Sequence, residues 1–140
     1  MACKSGNEAI VKYIVEQGAD INKINGIDET PLFRACEIGN KAIVKHLIEH
    51  RANINKVDRY GETHYFMHIV KKENEAIVKY LVEYGTDINK ANEYSETPFF
   101  VACERGNKAI VKYLVEHEAN INNVNYNNEN PLFIVRKKRK

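Results

Sequence analysis

One string of residues recurs along this chain at a nearly constant interval. Thr97-Pro98-Phe99-Phe100-Val101-Ala102-Cys103-Glu104-Arg105-Gly106-Asn107-Lys108-Ala109-Ile110-Val111-Lys112-Tyr113-Leu114-Val115-Glu116 reappears, slightly altered, from Thr30 to Glu49 and from Thr63 to Glu83. Its second half stands alone from Ala2 to Glu16, and its first half alone from Asn130 onward. The interval is 33 residues from Thr30 to Thr63, 34 from Thr63 to Thr97 and 33 from Thr97 to Asn130. At this period each repeat is one supersecondary unit. It is too small to bury its apolar face alone and becomes stable by stacking on its neighbours.

Each unit can be read locally. Thr30-Pro31 opens a helix: the threonine hydroxyl accepts from free N–H groups, and proline at the first helical position loses no hydrogen bond. Leu32, Phe33, Ala35 and Cys36 form its buried side, the last two small enough to let a partner helix come close. Asn7 to Gln17 is a second helix, because Ile10/Val11 and Ile14/Val15 recur four residues apart and make one apolar stripe. Gly18 ends it in the left-handed conformation. Asp20 to Glu29 has no helical period and is full of turn formers, so it reads as a hairpin loop. The cycle predicts further helices near 40–50, 63–72, 74–84, 97–105 and 107–117. The asparagines of the loops are read as turn formers and nothing more.

Thr30-Pro31-Leu32-Phe33-x-Ala35-Cys36-x-x-Gly39-Asn40-x-x-Ile43-Val44-x-x-Leu47-Ile48, followed by Ala52-Asn53-Ile54-Asn55, resembles the ankyrin repeat. The resemblance covers essentially the whole chain. It implies an all-α solenoid of stacked helix-turn-helix units with projecting hairpin loops, used to bind other proteins and not to catalyse. The expected division is a partial repeat at 1–29, repeats at 30–62, 63–96 and 97–129, a partial repeat at 130–135 and a basic tail at 136–140. The chain thus starts inside a repeat, with Ala2-Cys3-Lys4-Ser5-Gly6-Asn7 matching Ala35-Cys36-Glu37-Ile38-Gly39-Asn40. Neither end has a polar capping repeat, so either the chain is a fragment of a longer array, the favoured expectation, or a partner covers its ends.

Departures from the pattern are informative. The third unit places His64, Tyr65 and His68 where others have Pro, Leu and a small Ala, and Lys72-Glu73-Asn74 where others have Gly-Asn. Loss of that glycine costs about 1 kcal/mol, which puts the expected stability minimum at 63–75. Arg51 and Glu118 stand where Gly18 and Gly85 end their helices. Phe33, Phe66, Phe100 and Phe133 replace the histidine usual in the family. The His–Thr hydrogen bonds of that family are therefore lacking, and aromatic packing is expected instead.

Composition limits the rest. No apolar run approaches the roughly 20 residues that span a bilayer. The first residues lack the basic-then-apolar order of a signal peptide. Cys3, Cys36 and Cys103 share one repeat position. Units about 10 Å apart exceed the ~7 Å Cα limit for a disulfide, so these are read as buried thiols in a reducing compartment. A cytoplasmic protein is expected, with a nuclear address through Arg136–Lys140 as the alternative. That basic run carries five positive charges. Without it the net charge falls from +2 to −3, 16 Lys and Arg against 19 Asp and Glu.

Candidates for chemistry are weak. His46/His50 and His64/His68 are each spaced i, i+4 on a helix, but no further ligand accompanies them at a recognised spacing. His46 also occupies the slot of Tyr13, Tyr80 and Tyr113. These histidines are therefore read as structural, with no metal, no cofactor and no enzyme activity expected. In the ankyrin family the loop tips and the exposed side of each first helix line up on a concave face. By motif position the tips are Gly26, Ile27, Arg59, Tyr60, Glu93, Tyr94, Tyr126 and Asn127, and the first-helix contacts are Arg34, Met67 and Val101, with Glu37, Lys71 and Glu104 at the rim. The framework repeats while these slots change, and large aromatic, Arg and Met side chains are common interface anchors. The expected function is a protein-interaction module acting as a monomer unless its ends stack. The alternatives are a spacer within a longer array, or a nuclear-import or nucleic-acid contact through 136–140.

Overall fold

The computed structural model describes residues 7–57 and 64–138. Within them all regular elements are helices: α1 (Glu8–Glu16), α2 (Pro31–Ile38), α3 (Lys41–Glu49), α4 (His64–Lys71), α5 (Glu75–Glu83), α6 (Pro98–Arg105), α7 (Lys108–Glu116) and α8 (Pro131–Lys138). They pack in two rows. The inner row is α2, α4, α6 and α8, each against the next, and α3, α5 and α7 each pack on the inner helix that precedes them. In the outer row α1 lies on α3, and α5 on α7.

The local chemistry explains the repeat. Thr30 and Thr97 cap α2 and α6 by accepting from the backbone N–H of Phe33 (3.1 Å) and Phe100 (3.3 Å), with Pro31 and Pro98 following. Every outer helix is opened by an asparagine. Asn7, Asn40, Asn74 and Asn107 accept from the N–H of Ile10, Ile43, Ile77 and Ile110 at 3.0–3.2 Å. Gly39 and Gly106, at φ +81° and +74°, turn the chain between an inner helix and its asparagine cap. In the third unit Glu73 takes that left-handed place at φ +58°, so the extra residue preserves the cap on Asn74. Arg51 (φ +68°) and Glu118 (φ +64°) do at outer-helix ends what Gly18 and Gly85 do elsewhere, each at a cost of roughly 1 kcal/mol relative to glycine.

The core lies between the two rows. Leu32 and Phe66 from inner helices lie in one cluster with Val44, Leu47, Val78, Leu81 and Leu114 from outer ones, all at most 1% exposed. Cys36 and Cys103 are buried and free, and burial pushes their thiols up to about 12 and about 11. Cys3 lies outside the described residues.

Two sequence expectations are corrected here. The basic run, read as a tail from Arg136, is the last turn of α8: Arg136, Lys137 and Lys138 are helical. Lys and Arg are good helix formers and suit the negative end of the helix dipole. The run is also tied down, with Lys137 Nζ 3.3 Å from Glu129 Oε1 and Lys138 Nζ donating to the Glu104 carbonyl at 2.9 Å. Arg139 and Lys140 lie outside the described residues.

The second correction concerns the loop asparagines, which do more than turn. Asn22, Asn55 and Asn89 each reach into the next unit. Their side-chain oxygens accept from the N–H of Asn53 (2.6 Å), Asp87 (2.9 Å) and Asn120 (2.7 Å). Asn55 Nδ2 also donates to the Gly85 carbonyl at 3.0 Å. One side chain per unit thereby stitches consecutive units together along an exposed edge, using backbone groups that helix and turn leave unpaired. Asn55→Ala is expected to lower the unfolding free energy by about 1–2 kcal/mol, measured by urea denaturation. Asn122→Ala, at the same repeat position but with no following outer helix and loop among the described residues, should change it by less than about 0.5 kcal/mol. Equal effects at both positions would show that the cross-unit bonds contribute nothing.

Candidate functional site

The loop tips are built by a single device used three times. Asn25, Asn92 and Asn125 accept with the side-chain oxygen from two backbone N–H groups, two and four residues on, at 2.9–3.0 Å. Their side-chain amides donate to the carboxylates of Glu29, Glu96 and Glu129 at 2.9–3.0 Å. The residue before each glutamate, Asp28, Ser95 or Asn128, is left-handed at φ about +60°, a conformation that Asp, Asn and Ser tolerate better than branched residues. Between asparagine and this corner sit two residues at the exposed tip. These are Gly26-Ile27, Glu93-Tyr94 and Tyr126-Asn127, all exposed, with Ile27 71%, Tyr94 58% and Tyr126 80% accessible. The last two tips are joined: Tyr126 N–H donates to the Tyr94 carbonyl at 2.8 Å, and Asn123 Nδ2 to that of Ser95 at 2.7 Å. Arg59 and Tyr60, the second expected tip, lie outside the described residues.

The inner helices do not present what the sequence suggested. Met67 and Val101 were expected on the open face, but they are 6% and 0% exposed. They share a repeat position with Arg34 and Ile134, on the row of inner helices that pack one against the next. Arg34 is mostly covered too, and its guanidinium is engaged. Nη1 lies 3.2 Å from Glu29 Oε1 and is also paired with the Glu37 carboxylate. Three residues further on, Glu37 and Glu104 are half-buried and Lys137 is exposed, whereas the equivalent Val70 of α4 is 0% exposed and Lys71, one residue later, is the exposed one.

His68 enters this network from the neighbouring helix. Its Nε2 is 3.8 Å from Glu37 Oε1, and its ring lies 5.5 Å from that of Phe33. Burial pushes the imidazole below its ordinary value, with Glu37 pulling the other way. A histidine in a slot of small alanines (Ala35 and Ala102 are 0% exposed) thus leans out onto the rim and bridges α2 and α4. On the outer row His50 and His117 set a ring nitrogen against the carbonyls of His46 (2.9 Å) and Tyr113 (2.8 Å), at the last turn of their helices. The Asn125 amide and then Lys137 hold the Glu129 carboxyl below its usual range. Among the described residues no three His, Cys, Asp or Glu side chains converge on a common point. No helix there is long and apolar enough to cross a membrane.

The family model described as ankyrin repeats (3 copies) matches residues 1–92 and 66–137. The chain belongs to the ankyrin-repeat family. A comparison with curated proteins gives no match. Ankyrin repeats are generally protein–protein interaction modules and are typically non-enzymatic. In this ankyrin array the Gly-Asn turn is kept at 39–40 and 106–107 and replaced by Glu73-Asn74 in the third unit, and of the four phenylalanines at the histidine position Phe66 and Phe100 are buried. One signal for the loop device was available in the sequence: Asn-x-x-x-Glu recurs at 25–29, 92–96 and 125–129. The burial of Met67 and Val101 had no such signal, because it depends on how closely neighbouring units pack.

Proposed function

We propose that this ankyrin array is a non-catalytic interaction module that receives a protein partner on its loop tips and the adjoining rim of the inner helices. One observation carries the reading. An identical Asn–Glu clamp holds three tips rigid, while the two residues displayed differ at each: Gly26-Ile27, Glu93-Tyr94 and Tyr126-Asn127. A constant scaffold with changing exposed side chains suits recognition, and tyrosine offers large, stiff contact area with a polar end. The engagement of Lys137 and Lys138 within the fold favours this reading over a nucleic-acid contact through 136–140. A cytoplasmic setting goes with it, since the described cysteines are free.

Affinity capture from cell extract tests it, comparing the parent chain with the Tyr94→Ala/Tyr126→Ala variant. Both side chains stand in solvent, so far-UV circular dichroism and melting should be unchanged. Specifically captured proteins should fall at least about tenfold in the variant, the loss of one good anchor. Capture of the same proteins at the same level by the variant would rule out the tips as the contact surface. Absence of specific capture by the parent would leave the array as a spacer.

A further inference from the structure

We infer that the fourth unit takes an arginine side chain from the protein partner, held between the carboxylates of Glu96, at the loop tip, and Glu104, on the rim of α6. The inference rests on the reading of tips and rim as the partner's contact surface, and it names what the partner brings there. The array itself shows how such a cation is held. Glu29, Glu96 and Glu129 each use Oε2 to accept from the amide of their clamp asparagine. The other oxygen, Oε1, meets a cation in two of the three. Glu29 Oε1 lies 3.2 Å from Arg34 Nη1, which is also paired with the Glu37 carboxylate. Glu129 Oε1 lies 3.3 Å from Lys137 Nζ. Glu96 Oε1 meets no cation among the described residues. The third unit's Glu62 lies outside them.

The repeat explains the difference. In the fourth unit the place of Arg34 is taken by Val101, and that of Lys137 by Glu104. Glu96 and Glu104 thus hold the repeat positions of Glu29 and Glu37, the two carboxylates that share Arg34, and the arginine is missing. Glu104 also lacks the second neighbour of Glu37, because the counterpart of His68 one unit on is Val135. Of the cations close by, Lys138 is engaged at the Glu104 carbonyl (2.9 Å) and Arg105 is exposed. Among the described residues neither pairs with the Glu96 or Glu104 carboxylate. The place lies inside the array, with α4 and α8 packed on either side of α6. A guanidinium suits it better than an ammonium, because its planar fork of donors can serve two carboxylates at once. The same tip carries Tyr94, 58% exposed, and aromatic rings favour arginine.

Titration of the isotope-labelled full chain with a capped arginine, N-acetyl-arginine N-methylamide, followed by NMR, tests this. Saturable shifts are expected in the amides around Glu96 and Glu104. Affinity should fall at least about tenfold in Glu96→Gln and in Glu104→Gln. Glu104→Lys copies the arrangement of Lys137 and should abolish binding by supplying the cation from within. Capped citrulline, which has the shape of arginine without its charge, should not bind. Glutamine keeps an oxygen for the Asn92 amide, and matching circular dichroism and melting would confirm that the variants remain folded. A parent chain that does not bind the capped arginine would overturn the inference, as would binding that survives both glutamine variants or equal binding of the citrulline. Binding that tightens at least about tenfold in Arg59→Ala would show that the chain's own arginine holds the place, and would overturn it too. Capture from extract through Tyr94 and Tyr126 does not use this probe, so a failed titration leaves the role of the tips standing.

Discussion

Replacing Phe100 with alanine should lower the unfolding free energy by about 3–5 kcal/mol, a large part of the total for a chain of this size. The ring is 1% exposed in the first turn of α6. Alanine removes most of the ring's volume and leaves a cavity that close-packed surroundings refill only in part. Thr97 gives no compensation, because its hydroxyl already caps α6 through the Phe100 N–H. In a stacked array the damage also spreads: α6 touches the inner helices on both sides, and a unit that loosens withdraws support from each neighbour. The same substitution at Phe133, one repeat on and 51% exposed, should cost less than about 1 kcal/mol. Chemical denaturation followed by far-UV circular dichroism measures both. Similar losses at the two positions would mean that Phe100 is not buried as described.

That contrast shows what the sequence could carry. The helices were legible because their signals are local: Thr-Pro to open, Gly-Asn to turn, and Ile-Val pairs four residues apart for the buried stripe. The α4 helix at His64–Lys71 falls inside the predicted 63–72 even though its unit lost both proline and glycine. The tips were legible for a related reason, since turn chemistry is written in Asn, Gly and Asp. Facts that depend on the distance between units were harder to see. Met67 and Val101 have the helical phase of an open face, yet they are buried on the row of inner helices that pack one against the next. The recurrence of Asn22, Asn55, Asn89 and Asn122 was visible as a pattern, but turn preference accounted for it and concealed the cross-unit bonds. The basic run looked like a tail because charge runs are usually solvated ends. Only the proximity of Glu129 and of the Glu104 carbonyl makes it a helix turn.

Arg34→Ala should cost about 2 kcal/mol of stability. That is less than the 3–5 kcal/mol for breaking a fully buried pair, because water still reaches part of the group. The side chains of Arg34 and Glu29 are each 16% exposed, and that of Glu37 29%. One guanidinium nitrogen, Nη1, serves two carboxylates, Glu29 at a loop tip and Glu37 on the rim, and lysine replaces it with a more strongly hydrated charge on a stem of different reach. Arg34→Lys should therefore recover only part of the loss. The deficit should also depend on pH. Burial keeps the His68 imidazole below its ordinary value in the parent, so near neutrality it is uncharged and Glu37 relies on Arg34. Without Arg34, Glu37 faces His68 alone and raises its proton affinity. A raised affinity in the folded state adds stability as pH falls through that titration, so the deficit of Arg34→Ala should shrink between roughly pH 7 and pH 5.5. Urea denaturation of parent, Arg34→Ala and Arg34→Ala/His68→Ala at both pH values decides it. A deficit that does not change with pH, or that shrinks equally without His68, would show that Glu37 and His68 are not coupled. The same numbers bear on recognition. A binding loss seen with Arg34→Ala would report a loosened junction between the second and third units, whereas one seen with Tyr94→Ala, on an intact clamp, would report contact with the partner.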